Sequence, residues 1–188
     1  MKTLTIHSQP NAPEASRPLL AQLEKALRFI PNVFATLAES PQALEGELAL
    51  NAALEKGTLT PAERQLVQIA VSAENGCSYC VAAHSTFAGL QRVRREVVEA
   101  VRNGTTIPDA KLDALIHYTR ELVRQRGFVS DTTVAACLAA GYTRAQLVEV
   151  IGHVGLKTIM NYVNNLADTA LDAAFEAQRW TPERSRAA

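Results

Sequence analysis

The stretch Thr60-Pro61-Ala62-Glu63-Arg64-Gln65-Leu66-Val67-Gln68-Ile69-Ala70-Val71-Ser72-Ala73-Glu74-Asn75-Gly76-Cys77-Ser78-Tyr79-Cys80-Val81-Ala82-Ala83-His84 decides how the chain is read. Its first residues form a helix start, with a threonine cap, a proline at the first helical position and a carboxylate three residues beyond the cap. The helix this opens runs to about Asn75, with Leu66, Ile69, Ala70 and Ala73 facing inward. Asn75-Gly76 ends it, and a second helix follows over about 77–90. On that helix Cys77 and Cys80 are an i,i+3 pair and Cys80 and His84 an i,i+4 pair, so all three share one face. Two thiols within reach of each other form a redox couple, and an imidazole one turn beyond the second can take its proton. Cys77 falls near a helix N-terminus, where free N–H groups and the macrodipole favour a thiolate.

Working outward, the same signals recur. Residues 1–18 carry Pro10, Pro13 and Pro18 with little periodicity and read as an extended arm, followed by one helical domain over 19–180 and a polar tail over 181–188. Leu19, Leu20, Leu23 and Leu27 make a helical stripe over 19–30. Pro31 and Pro41 open short helices over 31–39 and 41–56. Beyond the cysteines, helices are expected over 91–103, from Pro108-Asp109 to about Arg126, from Asp131 to Ala140, and from 144 to about 167 behind Thr143. No segment alternates strictly, so the expected class is all-α.

One internal echo stands out. Gln65-Leu66-Val67-Gln68-Ile69 resembles Gln146-Leu147-Val148-Glu149-Val150, and extending the register sets Thr158, Asn161 and Asn165 opposite Cys77, Cys80 and His84. Two readings stand: a chance likeness of amphipathic helices, or a duplicated two-helix core unit in which only the first copy kept its chemistry.

Composition narrows the function. Hydrophobic residues at 47% and charged residues at 20% are ordinary for a water-soluble globular domain. A formal net charge of zero argues against a nucleic-acid partner held by bulk positive charge. No apolar run reaches the roughly 18 residues a membrane span needs, and the N-terminus has no signal-peptide pattern, so a cytoplasmic protein without a membrane partner is expected. In a reducing compartment a Cys-x-x-Cys pair is catalytic or metal-binding more often than structural. Cys137 lies in an apolar run and reads as a buried, inert thiol.

Three readings of the cysteines compete. In one they are a catalytic dithiol with His84 as proton acceptor. In another Cys77, Cys80 and His84 hold zinc with His153 as fourth ligand, although the second ligand pair typical of zinc sites is missing. In the last they are small core residues.

Residues 60–88, and above all Asn75-Gly76-Cys77-x-x-Cys80-x-x-x-His84, resemble the AhpD-like alkylhydroperoxidases of the carboxymuconolactone decarboxylase superfamily. Pro31-Asn32-Val33-Phe34 through Pro41, and His153 to Asp172 with Lys157-Thr158 and Asn161-Tyr162-Val163-Asn164, are also similar, so the likeness spans about residues 30–175. It implies an all-helical homo-oligomer, often a trimer or hexamer, with no cofactor and no metal. It implies a peroxidase in which Cys80 attacks the hydroperoxide, Cys77 resolves the sulfenic acid to a disulfide, His84 takes the Cys80 proton directly or through water, and an outside dithiol reductant closes the cycle. The alternatives are a non-catalytic or ligand-binding superfamily member, or a decarboxylase or isomerase acting on a small carboxylic acid. Decarboxylase members of the superfamily lack the Cys-x-x-Cys.

Two positions depart from the family pattern. Gln65 stands where a glutamate orients the histidine, and a weaker base with slower peroxide chemistry is expected. Glu63 lies about 200° round the helix from residue 65, which makes Glu74, near the turn, the better replacement in a supporting role; for both, a solvated surface carboxylate is the default reading. Tyr79 stands where those members carry a histidine, and reads as a packing residue or a subunit contact, with a supporting site role as the alternative. His153, between Gly152 and Gly155, reads as a satisfied core histidine with room for close approach of another segment. His7 and His117 show no case for chemistry. Asn161 and Asn164 read as helix or interface contacts, and Trp180 as an anchor for the tail.

Overall fold

The computed structural model describes residues 4–182. All the regular secondary structure in those residues is helical, with no strand among them. The helices are α1 (Arg17–Leu27), α2 (Asn32–Leu37), α3 (Pro41–Leu54), α4 (Pro61–Glu74), α5 (Ser78–Leu90), α6 (Arg95–Asn103), α7 (Ala110–Arg124), α8 (Asp131–Ala139) and α9 (Arg144–Ala167). The segment expected as an extended arm contains two short 3-10 turns, Gln9–Asn11 and Glu14–Ser16. It lies along its own chain: the His7 N–H donates to the Ala35 carbonyl at 3.1 Å and buried Ser16 Oγ to the Ala38 carbonyl at 2.7 Å. Residues 183–188 of the expected polar tail lie outside the described residues. Trp180 packs against the apolar core from the tail side.

Local chemistry explains where α4 and α9 begin. At α4, Thr60 Oγ1 accepts from the Glu63 N–H at 3.2 Å while Glu63 returns an acceptor to the Thr60 N–H at 2.8 Å. At α9, Thr143 and Gln146 make the same reciprocal pair. Each box satisfies donors that a helix start otherwise leaves orphaned. For α8 the cap is Ser130 rather than Asp131, its hydroxyl accepting from the Thr133 N–H.

The core forms two apolar clusters. One gathers α4, α6, α7, α8 and the first half of α9 around Leu66, Ile69, Leu115, Ile116 and Val150. Leu66 and Ile69 have no exposed surface, and burying each stabilises the fold by about 1.5–3 kcal/mol. The other joins α1, α2, α3 and α5 with Met160 and Phe175, and it contains Cys77 and Cys80. Helix α4 is central, packing on α5, α6, α7 and α9.

The echoed segments share their capping boxes and then diverge. The first breaks at Gly76, whose φ of 65° lies in the left-handed region, whereas α9 continues unbroken from Arg144 to Ala167. The second half of the echo is therefore one helix and not a two-helix unit. Gly152 does allow a close approach, since a Cβ there would meet Leu54 Cδ2 at 2.8 Å, but Gly155 faces open space. The outer face of α9 leaves Val148, Ile151, Ile159, Tyr162 and Leu166 exposed.

Candidate active site

Cys77 caps the N-terminus of α5, and Cys80 sits in its first turn. Both are free and buried, and they lie close enough for each thiol to shift the other's titration. The break at Gly76 sets this up: the chain leaves α4, turns through a left-handed residue, and the Cys77 N–H donates back to the Ser72 carbonyl at 2.9 Å. Helix α9 braces the same turn. Asn161 Nδ2 donates to Ser72 Oγ at 3.1 Å, Asn161 Oδ1 accepts from Asn75 Nδ2 at 2.9 Å, and Asn165 Nδ2 donates to the Asn75 carbonyl at 3.0 Å.

The two thiols differ. Burial by itself raises Cys80, but the Cys77 S–H, the Lys157 ammonium and the carboxamides of Asn164 and Asn161 outweigh it and bring Cys80 down to about 6. Asn164 Nδ2 lies 3.2 Å from Cys80 Sγ. Cys77, beside Cys80 and buried, is pushed far up. The thiolate expected at the helix N-terminus therefore sits on Cys80, three residues inside the cap. Cys137, in the other apolar cluster, is raised to about 11 by burial.

His84 is fixed on both sides. Its Nδ1 is 2.8 Å from Gln65 Oε1 and its Nε2 is 2.7 Å from Lys157 Nζ. An ammonium only donates, so Nε2 is the acceptor and Nδ1–H donates to the glutamine carbonyl. Burial, then the Lys157 charge, then His153 hold His84 well below the usual histidine range, so it is neutral. Its free lone pair is already taken by Lys157, and no hydrogen bond joins His84 to Cys80 among the described residues.

The structure brings Cys77, Cys80, His84 and Gln65 together, sets Tyr79 on the wall of the same cavity as Cys80, and leaves Glu74 and Glu63 elsewhere. Glu74 is not at the site: Arg124 binds its two oxygens at 2.7 and 2.8 Å, and Arg120 Nε stands 3.5 Å away. A charged pair of arginines drew it to α7 instead. Glu63 closes its capping box and accepts from Tyr142 Oη at 2.8 Å. The Tyr79 hydroxyl donates to Asp172 and accepts weakly from the Val33 N–H, tying α5 to α2 and the C-terminal segment.

Four further residues carry chemistry that spacing alone did not mark. Lys157 and Asn164 are described above. Glu47, on α3, is 4% exposed, and its Oε2 has no partner. Burial raises its carboxyl to about 7 against the opposing pull of Lys157. His153 is 1% exposed with neither ring nitrogen hydrogen-bonded, so it is not the satisfied core histidine expected. Burial, Arg64 and Lys157 lower it to about 4. One signal was available: Glu47 falls on the stripe of Leu44 and Leu48, and His153, Lys157, Asn161 and Asn164 fall on the inward stripe of Leu147, Val150 and Ala167. Polar groups in register with a buried face are the informative ones.

Glu47, His153 and Lys157 line one cavity of about 440 Å³, together with Cys80, His84 and Gln65. Its polar wall holds Glu47, Gln65, His84, His153 and Lys157, and its apolar wall includes Leu23, Phe34, Phe87, Met160 and Phe175. Cys80 lines it; Cys77 does not. The arrangement does not suit zinc. No group of three or more His, Cys, Asp or Glu side chains converges among the described residues, and an ammonium occupies the His84 nitrogen a metal would need.

Comparison with known proteins agrees with this architecture. Residues 41–121 match the model of the carboxymuconolactone decarboxylase family. Among solved structures, the chain is similar to an AhpD-core, peroxidase-related protein from Ralstonia eutropha JMP134, with 23% identity over 91% of this chain and 92% of that one and a TM-score of 0.81. A peroxidase-related protein from Silicibacter sp. TM1040 has 16% identity, coverage of 94% and 93%, and a TM-score of 0.77. The debrominase Bmp8 has 19% identity, coverage of 95% and 96%, and a TM-score of 0.77; a cysteine-to-alanine variant of it has been solved in complex with 2,3,4-tribromopyrrole. No curated protein matches the chain.

Proposed function

We propose, from the match of residues 41–121 to the carboxymuconolactone decarboxylase family and the shared fold of the AhpD-core protein, that this chain is a thiol-dependent oxidoreductase of the alkylhydroperoxidase type. It reduces hydroperoxides through a Cys77–Cys80 dithiol–disulfide cycle. The observation that carries this reading is the asymmetry of the pair: the depressed thiol, Cys80, faces the cavity, and the protonated one, Cys77, stands behind it. Cys80 is the nucleophile and Cys77 the resolver. Lys157 holds the thiolate by charge. His84, neutral and anchored by Gln65, positions Lys157 rather than drawing the proton from sulfur itself. In this reading glutamine suits the place of a carboxylate, because a carboxylate would favour an imidazolium that Lys157 repels.

The protein acts in the cytoplasm as a homo-oligomer, a trimer or hexamer, recharged by a dithiol reductant. The exposed apolar stripe on α9 supports association. A second reading is supported by the likeness to a debrominase and by the aromatic wall of Phe34, Phe87 and Phe175. In it the same thiolate takes bromine as a sulfenyl bromide from an electron-rich aromatic ring whose carbon gains a proton, and the Cys77 S–H then displaces bromide, closing the disulfide and giving a proton back.

The test is mass spectrometry of the reduced protein after a limiting dose of organic hydroperoxide, with free thiols alkylated. A loss of two hydrogens mapping to a Cys77–Cys80 bridge, abolished in Cys80→Ser, supports the peroxidase. Bromide release from a bromopyrrole without reaction toward peroxide supports the second reading. Turnover of a small carboxylic acid that persists without both cysteines rejects both.

A further inference from the structure

The cavity contains a buried acid that the dithiol cycle does not yet use. Glu47 reaches it from α3, with one carboxyl oxygen lacking any protein partner. The titratable and charged groups sharing that cavity are Cys80, His84 and Tyr79 from α5, His153 and Lys157 from α9, Arg64 from α4, and Glu55 just past α3; the Tyr79 hydroxyl is committed to Asp172. Of these, His84 is neutral and closed by its two hydrogen bonds. His153 is held neutral by burial and by two nearby cations. Neither is positioned to hand a proton to a departing alkoxide, and Lys157 is engaged with His84.

Resting on the peroxidase reading, we propose that Glu47 is the general acid of the reaction, protonating the oxygen that leaves when Cys80 attacks. The Cys80 thiolate bonds to the outer peroxide oxygen, the O–O bond breaks, and sulfur is oxidised to a sulfenic acid while the peroxide is reduced. The alkoxide takes the Glu47 proton and departs as an alcohol, leaving a carboxylate. The Cys77 S–H condenses with the sulfenic acid, forming the disulfide and water. An external dithiol reduces that disulfide to the Cys77 thiol and the Cys80 thiolate, and its remaining proton returns to Glu47. Burial supports the role, since it keeps a good share of the carboxyl protonated near neutral pH.

The decisive experiment varies the leaving group. Reduced wild type and Glu47→Gln are mixed under single-turnover conditions with tert-butyl hydroperoxide, whose alkoxide needs a proton, and with peracetic acid, whose carboxylate does not. Oxidation of Cys80 is followed by timed alkylation and mass spectrometry. Glu47→Gln is expected to slow the alkyl hydroperoxide by about 10²–10⁴-fold, the usual worth of general acid catalysis, and to leave the peracid rate unchanged. Equal slowing with both oxidants would show that the substitution only disturbed Cys80, and no slowing with either would show that Glu47 moves no proton; both outcomes overturn the proposal while leaving the peroxidase reading standing. A wild type inert toward both oxidants overturns the peroxidase reading, and the role of Glu47 falls with it.

Discussion

Helices α4 and α9 begin alike and end differently. Each opens with a threonine capping box followed by a Gln-Leu-Val run, and each packs on the other along the core. In the shared register the breaking residue of the first, Gly76, corresponds to Lys157 of the second. Where one chain turns and presents two thiols at a fresh helix start, the other runs on and presents an ammonium with carboxamides behind it. The lesson is that a reactive thiolate here needs both behaviours. The break sets the sulfurs side by side, and the unbroken helix supplies the charge and donors that keep one of them ionised.

Removing the cation of α9 is the sharpest way to break this comparison. Lys157→Met keeps length and apolar stem but deletes the charge. The pH midpoint of Cys80 alkylation by iodoacetamide is expected to climb from about 6 toward the ~8.5 of an ordinary cysteine, which lowers its thiolate fraction at neutral pH by about thirtyfold. A midpoint that stays put would leave α9 without an electrostatic role.

Straining the break of the first helix has a smaller effect. A Cβ at position 76 meets no neighbouring atom, so Gly76→Ala isolates backbone conformation from packing. The left-handed residue should cost about 1–2 kcal/mol, read as a lower urea midpoint with an unchanged slope. Full retention of stability would mean that the turn has an alternative path.

The smallest effect is one of slope, and it concerns the two orphaned groups. The imidazole of His153 is lowered from 6.5 to about 4 on folding, so its contribution is whole above 6.5 and lost as pH falls toward 4. The carboxyl of Glu47 is raised from 4.5 to about 7, so its contribution is whole below 4.5 and lost as pH rises toward 7. Between pH 5 and 6.5 the two oppose each other. Thermal unfolding across that window should therefore tilt in opposite directions in two variants: stability rises with pH in Glu47→Gln and falls with pH in His153→Leu. Identical slopes in the two proteins would contradict the assignment of both groups.

Much of this fold is written locally. Thr60-Pro61, Ser40-Pro41, Asp109 and Thr143 open helices because caps and first-turn prolines act over three or four residues, and Gly76, Gly104, Gly127 and Gly141 end segments through positive φ. The same short range makes Cys77, Cys80 and His84 visible, since one helix turn carries them, and Gln65 came to attention by its fixed distance from them. The rest of the site is tertiary. Lys157 reaches His84 from 73 positions away, and Glu47 arrives on a helix with no other claim on the thiols. Glu74 shows the same thing in reverse. It is near Cys77 in sequence, but the arginines of α7 are nearer in space.

The burial of Cys77 behind Cys80 bears on traffic. Only one sulfur of the pair meets the cavity, so in a dithiol cycle the oxidant and the reductant have a single doorway between them. They must take turns. A molecule of peroxide lingering in the cavity after the disulfide has formed would keep the reductant out, and a bulky reductant would be stopped at the threshold. Such an enzyme follows ping-pong kinetics with each substrate inhibiting at high concentration, and it favours a slender dithiol over a globular one.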